Sequence, residues 1–264
     1  MSFRLAVCAE MVFRDLPIVE RIERIGELGF AAEIWSWHDK DLNALAATGV
    51  TITSMTGYLH GDLVDPETCD EVVRTARLSI EAAETLGVTR LNLHTAELVD
   101  GHAARPRQRS TGQMWLTAAR TLERIGELGA AAGVQFCVEN LNTIVDHPGV
   151  PLARAKDTLA LIEGVGHPNV KMMLDLYHAQ IGEGNLIDLV RRCGDAIGEI
   201  QVADVPGRRE PGTGEINYPA VADALRGIGY TGTVGMEAWA SGAGTAGSEA
   251  ALSAFRAAFA PSAR

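Results

Sequence analysis

Apolar positions along this chain follow two periods in turn. Stretches with apolar residues every three or four positions, as an amphipathic helix requires, run up to a glycine, and a short β-rich run comes next. The junctions read ELGFAAEIW (27–35), ATGVTITSM (47–55), TLGVTRLNLH (85–94), AAGVQFCVE (131–139), PNVKMMLD (168–175), AIGEIQVAD (196–204) and IGYTGTVGME (228–237). A glycine just past the last helical turn takes the left-handed conformation that closes a helix. With the opening run RLAVCA (4–9), the pattern predicts eight strands, each followed by a helix. Such alternation implies a parallel sheet, and eight units in about 250 residues fit a closed α/β (β/α)8 TIM barrel. No glycine-rich dinucleotide loop follows the first strand to favour an open doubly wound sheet. Residues 1–264 are read as one barrel domain.

One heptapeptide, Glu23-Arg24-Ile25-Gly26-Glu27-Leu28-Gly29, recurs as Glu123 to Gly129. Both copies are expected to end a helix just before a strand. Convergent helix chemistry and ancient duplication both account for the match, and neither gives a function.

Side chains alternate along a strand, so each strand has two phases. In strand five Val134, Phe136 and Val138 oppose Gln135, Cys137 and Glu139. In strand six Val170, Met172 and Leu174 oppose Lys171, Met173 and Asp175. Strand seven sets Ile200 and Val202 against Glu199 and Gln201, and strand eight sets Val234 and Met236 against Thr233, Gly235 and Glu237. The apolar phase must meet the helices and the mixed phase must face the barrel axis. Strand four agrees, with Leu91 and Leu93 outward and Arg90, Asn92 and His94 inward. Buried charges need partners, so Lys171, Arg90, Glu199 and Glu33 are expected to form ion pairs deep in the barrel.

Four consecutive strands thus end, in phase, on Glu139, Asp175, Gln201 and Glu237. Strands ~4.8 Å apart let these side chains converge on one ion. Two Glu, one Asp and one Gln offer only oxygen, which suits one Mg²⁺ or Mn²⁺ better than Zn²⁺. Glu139 and Glu237 are also the candidate catalytic acid and base. His94, inward at a strand end, is either a substrate contact or a satisfied core residue. His60 and His147 read as loop residues. Trp35 and Trp239 either wall the pocket or belong to the core. Gly212 and Gly214 fit a tight turn or an anion nest.

Composition narrows the partners. The hydrophobic share of 47% can supply a large core. A net charge of −11 argues against nucleic acid and anionic membranes. No apolar run is long enough for a membrane span, and the N-terminus lacks a signal-peptide pattern. Cys8, Cys69, Cys137 and Cys193 form no CxxC pair, which favours reduced thiols and a cytoplasmic setting. A homo-oligomer is compatible with this reading.

The stretches VENLNT and VDHPG (within 138–149), LDLYHAQIGEGNL (174–186), IQVADVPGRREPGTGEINY (200–218) and GYTGTVGMEAW (229–239) resemble the hydroxypyruvate isomerase family of the xylose isomerase-like TIM barrels. The resemblance is strongest from residue 134 onward. It implies a metal-assisted isomerase that moves a proton between adjacent carbons of a small keto acid or sugar. Glu139, Asp175, Gln201 and Glu237 fall on the family's metal positions, and Glu139 and Glu237 on its acid/base positions. It further implies substrate contacts from His178 and Arg208. Gln201, where epimerases of the superfamily commonly carry His, favours interconversion of hydroxypyruvate and tartronate semialdehyde. A ketose or sugar-acid epimerase or isomerase, such as a 2-oxo-tetronate isomerase, is the alternative. An endonuclease of the same barrel type would want a His-rich zinc cluster and a basic face. Three carboxylates around one divalent ion leave net negative charge, and a substrate carboxylate adds more. A cation is therefore required, from Arg208, Arg209 or the arginines of the strand-four loop, Arg105, Arg107 and Arg109.

Overall fold

The computed structural model describes residues 3–261. Eight parallel strands form its sheet: β1 (Arg4–Cys8), β2 (Ala31–Glu33), β3 (Ser54–Thr56), β4 (Arg90–Leu93), β5 (Gln135–Glu139), β6 (Val170–Asp175), β7 (Ile197–Val202) and β8 (Thr233–Met236). Their order is β2-β1-β8-β7-β6-β5-β4-β3, the chain order of a barrel opened between β2 and β3. Backbone hydrogen bonds span that gap: Ala32 donates to Thr51, Thr53 to Ala32 and Ile34 to Ser54. The fold is a TIM barrel, as the seven junctions and the opening strand predict.

Helices α1 (Ile18–Glu27), α2 (Leu42–Ala47), α3 (Cys69–Leu86), α4 (Gly112–Ala132), α5 (Ala155–Val165), α6 (Leu176–Gly182), α7 (Leu186–Cys193), α8 (Tyr218–Gly227) and α9 (Gly244–Ala258) surround the strands. α3, α4 and α5 stop at left-handed Gly87, Gly133 and Gly166. The two heptapeptides part company here. The first ends α1, whereas the second lies inside α4, which runs on to Ala132. Gly129 is helical, in a spot where a Cβ would stand 2.8 Å from the Val134 carbonyl oxygen, and the stop falls at Gly133 instead.

Phe136, Val138, Val170, Met172, Leu174, Ile200, Val202, Val234 and Met236 all join the apolar layer under the helices. The opposite phase carries Glu139, Asp175, Glu199 and Gln201, buried in the barrel. One irregularity sets the alignment of the rim. The β6–β7 register slips between Met172, opposite Ile197, and Met173, opposite Glu199. This bulge skips Gly198 and brings Asp175 opposite Gln201.

All four cysteines are free, and Cys8, Cys137 and Cys193 are buried. No helix among the described residues is long and apolar enough to cross a membrane.

Candidate active site

The site grows from the strand ends. Glu139 and Asp175 close β5 and β6, Gln201 is the penultimate residue of β7, and Glu237 follows β8 directly. Asn140 locks the first two ends together: its Nδ2 donates to the Asp175 carbonyl (2.9 Å) and its Oδ1 accepts from the Asp175 amide (3.0 Å). Asp175 also caps α6, with Oδ1 accepting from the His178 backbone N–H at 2.7 Å. That cap turns the first turn of α6 inward and buries His178.

Glu139, Asp175 and His178 form one close group, with a ligand atom of each within 4.8 Å of the others. Glu139 Oε2 accepts from Asn92 Nδ2 (2.6 Å) and pairs with His94 Nε2 (3.1 Å). Asn142 sets the His178 ring. Its Oδ1 accepts from the Val145 and Asp146 amides, so its Nδ2 faces Asp146 and His178 Nδ1 (2.8 Å). Nδ1 therefore accepts, and the ring proton sits on Nε2. Nε2 is buried without a hydrogen-bond partner, 3.8 Å from Glu139 Oε1 and 3.9 Å from Asp175 Oδ2.

Glu237 lies outside that close group. Its Oε1 accepts from Trp35 Nε1 (2.6 Å) and its Oε2 from Arg208 Nη2 (2.7 Å). Arg208 lies over the Tyr177 ring, 5.2 Å from its centroid. Trp239 meets Trp35 edge-on, lies under the Arg14 guanidinium, and helps wall a rim cavity of about 360 Å³. Gln201 Nε2 donates to Glu33 Oε2 (2.9 Å) and Glu199 Oε1 (3.3 Å), while its Oε1 is buried and accepts nothing.

The environments separate the carboxylates electrically. Burial, then the Glu139 charge, pushes the Asp175 carboxyl well above its ordinary range. Glu237 is raised too, with burial leading, Arg208 opposing and the Glu139 charge adding. Burial also acts upward on Glu139, but His94 and Asn92 outweigh it and hold Glu139 below its usual value. Burial, then Arg208, keeps the His178 imidazole well below its usual pKa and hence neutral. Burial works against the Arg208 charge, but Glu237, Asp175 and Glu139 overcome it and keep the guanidinium protonated.

Several sequence expectations change. The deep ion pairs are absent: none of Lys171, Arg90, Glu199 and Glu33 makes a salt bridge with a described residue. Lys171 Nζ donates to the Asp195 carbonyl and Arg90 Nε to the Gly198 carbonyl. Glu199 instead accepts from Ser54 and Gln201. The long cationic stems find backbone carbonyls first, and this leaves two acids side by side. Arg105 and Arg107 are paired with Asp62, Glu97 and Asp65, and Arg209 donates to the Ala240 carbonyl. Arg208 pairs with a rim carboxylate, Glu237. The Gly212 amide does bind an anion, but that anion is the chain's own Asp204. His147 is a loop residue, as expected, and a buried one. It packs its ring on His178 and pairs through Nδ1 with the Gly101 carbonyl. Sequence pattern alone gives no role to Asn92, Asn140, Asn142 and Tyr177. The first three are short amides beside strand ends, the one signal the chain offers for them.

A model of the xylose isomerase-like TIM barrel family matches residues 23–258. The chain belongs to that family. It is 29% identical to the 2-oxo-tetronate isomerase of Haemophilus influenzae, covering 89% of this chain and 92% of that protein. It is 28% identical to the hydroxypyruvate isomerase of Escherichia coli, with the same coverage. A crystal structure from Brucella melitensis, described as an AP endonuclease of family 2, superposes with a TM-score of 0.81 at 27% identity. That match covers 92% of this chain and 96% of the other. The chain is an enzyme of the isomerase class.

Proposed function

We propose that this enzyme interconverts hydroxypyruvate and tartronate semialdehyde with one divalent cation, Mg²⁺ or Mn²⁺, and with Glu139 and Glu237 as acid and base. The observation that carries the reading is the buried group Glu139, Asp175 and His178 at one rim, faced by the Arg208–Glu237 pair. The donor set fits a hard cation. Glu139 Oε1, Asp175 Oδ2 and Gln201 Oε1 accept no hydrogen bond from described residues. With Glu237 they would supply only oxygen. Bound there, the cation would supply positive charge against the oxyanion that develops during proton transfer.

The chain's own groups account for the remaining steps. Arg208 offsets the substrate carboxylate. The neutral His178 offers Nε2–H to a substrate oxygen. One glutamate takes a proton from C3 of hydroxypyruvate, which leaves an enediolate; the C3 hydroxyl proton passes to the C2 oxygen, and a glutamate returns a proton to C2, giving the aldehyde at C3. Glu139, lowered by His94 and Asn92, is suited to accept a proton.

A four-carbon substrate is the second reading, because the 2-oxo-tetronate isomerase relative is as similar as the hydroxypyruvate isomerase one. A net charge of −11 and a single close His–carboxylate group among the described residues favour either over nucleic acid. The test is turnover of both keto acids by metal-loaded protein, followed by NMR in D₂O. Glu139→Gln and Glu237→Gln should stay folded and each lose at least ~100-fold in turnover. Near-normal turnover in both loaded variants would sink the two-glutamate mechanism.

A further inference from the structure

Gln201 sits in register with Asp175 on β6 and with Gly235 on β8. An amide has a donating and an accepting end of nearly the same shape, and only its hydrogen bonds distinguish them. Here two buried acceptors from different strands take the nitrogen end: Glu33 Oε2 from β2 at 2.9 Å, and Glu199 Oε1 from β7 at 3.3 Å. Ser54 Oγ donates to the same Glu199 oxygen at 2.8 Å and steadies it. The carbonyl end is buried and unpartnered. Room for this arrangement comes from Gly235, where a Cβ would overlap the Glu33 carboxylate and Gln201 Nε2. Two buried acids converging on one neutral amide, with a glycine cleared beside them, form a built arrangement that the catalytic steps do not use.

We propose that Glu33 and Glu199 are positioning residues that clamp the nitrogen end of the Gln201 amide, so that its carbonyl oxygen is the atom presented to the divalent cation. The inference rests on the metal-dependent reading of the site. An amide turned the other way would face the cation with N–H groups and repel it. Outer groups that orient a ligand typically carry 10–100-fold in metal affinity.

The experiment measures Mn²⁺ affinity of the full chain by calorimetry, alongside thermal unfolding in EDTA, at pH 8. Glu33→Leu/Glu199→Leu removes both acceptors. It should weaken Mn²⁺ binding by ~10-fold or more without lowering the unfolding midpoint, whereas a merely structural pair would lower the midpoint. Unchanged binding in the leucine variant overturns the clamp. If the double variant does not fold, Glu33→Leu and Glu199→Leu decide singly: weakened binding in Glu33→Leu, which removes the nearer acceptor, supports the clamp, and unchanged binding in both overturns it. Asp175→Ala reports on the metal reading alone. If the unsubstituted protein bound Mn²⁺ no better than Asp175→Ala, the metal reading and the clamp would fall together. Weakening in Asp175→Ala with none in the leucine variant would remove the clamp only.

Discussion

His178 shows how much chemistry one hydrogen bond can set. Its ring is buried and neutral, so the tautomer decides whether Nε2 gives or accepts. Asn142 decides it, because two backbone amides hold its oxygen and leave its nitrogen facing Nδ1. Exchanging Asn142→Asp with Asp146→Asn keeps the local charge and replaces the donor to Nδ1 by an acceptor. The ring proton should then move to Nδ1, and turnover should fall by at least ~10-fold, the scale of losing one positioned proton donor. Nitrogen-15 NMR of the imidazole would check the tautomer; an unchanged tautomer would remove Asn142 from its role. Sequence phase placed Glu139, Asp175, Gln201 and Glu237 at the rim because a period of two is robust over short strands. It could not place Asn142, whose partners are three and four residues away along the loop and 36 residues away on α6.

At the scale of elements, the seven helix-to-strand junctions were legible because a helix stop and the strand after it are both local events. Register between strands is not local. The slip at Gly198 left no trace in the alternation, since Glu199 and Gln201 keep one phase on the far side of it. Yet this slip sets Asp175 beside Gln201. A Cβ on residue 198 would stand 2.8 Å from both Cys137 Sγ and Lys171 Cβ, closer than packed atoms come. Gly198→Ala should therefore cost about 1–3 kcal/mol, the range for overpacking a core. It should also weaken metal binding, because relief requires β6 and β7 to part where their ends carry ligands. Chemical denaturation and Mn²⁺ titration of the same variant would read both effects; a loss of stability with unchanged affinity would mean that the register tolerates the strain. The second heptapeptide shows the same limit, since α4 runs past Gly129, which local chemistry reads as a stop, to Ala132.

The molecule as a whole keeps acids inside its barrel that charge counting along the chain would have paired with Lys171 and Arg90. That the inward phase carries polar residues was legible; which partners they choose was not, because chain geometry sends both cations to backbone carbonyls. The consequence is a dependence of stability on pH. Burial pushes the Glu199 carboxyl up from its ordinary 4.5 to about 7, and burial with the Glu199 charge raises Glu33 in the same direction. A carboxyl whose folded value is raised binds its proton more tightly folded than unfolded. Its contribution is full below about 4.5 and is lost as pH rises through about 7. For Glu199 that change corresponds to roughly 3 kcal/mol. Glu139 acts the opposite way, since its value is lowered and its contribution is lost as pH falls. Total stability mixes both, so the informative quantity is the difference between Glu199→Gln and the unsubstituted protein, measured in EDTA. That difference should be small near pH 5, where Glu199 is protonated in the folded state. It should turn in favour of the variant by several degrees near pH 8, where the unsubstituted protein must bury the Glu199 charge beside Glu33. A difference that stays flat between pH 5 and 8 would mean that Glu199 titrates like a solvated carboxylate and that the barrel interior is wetter than its packing implies.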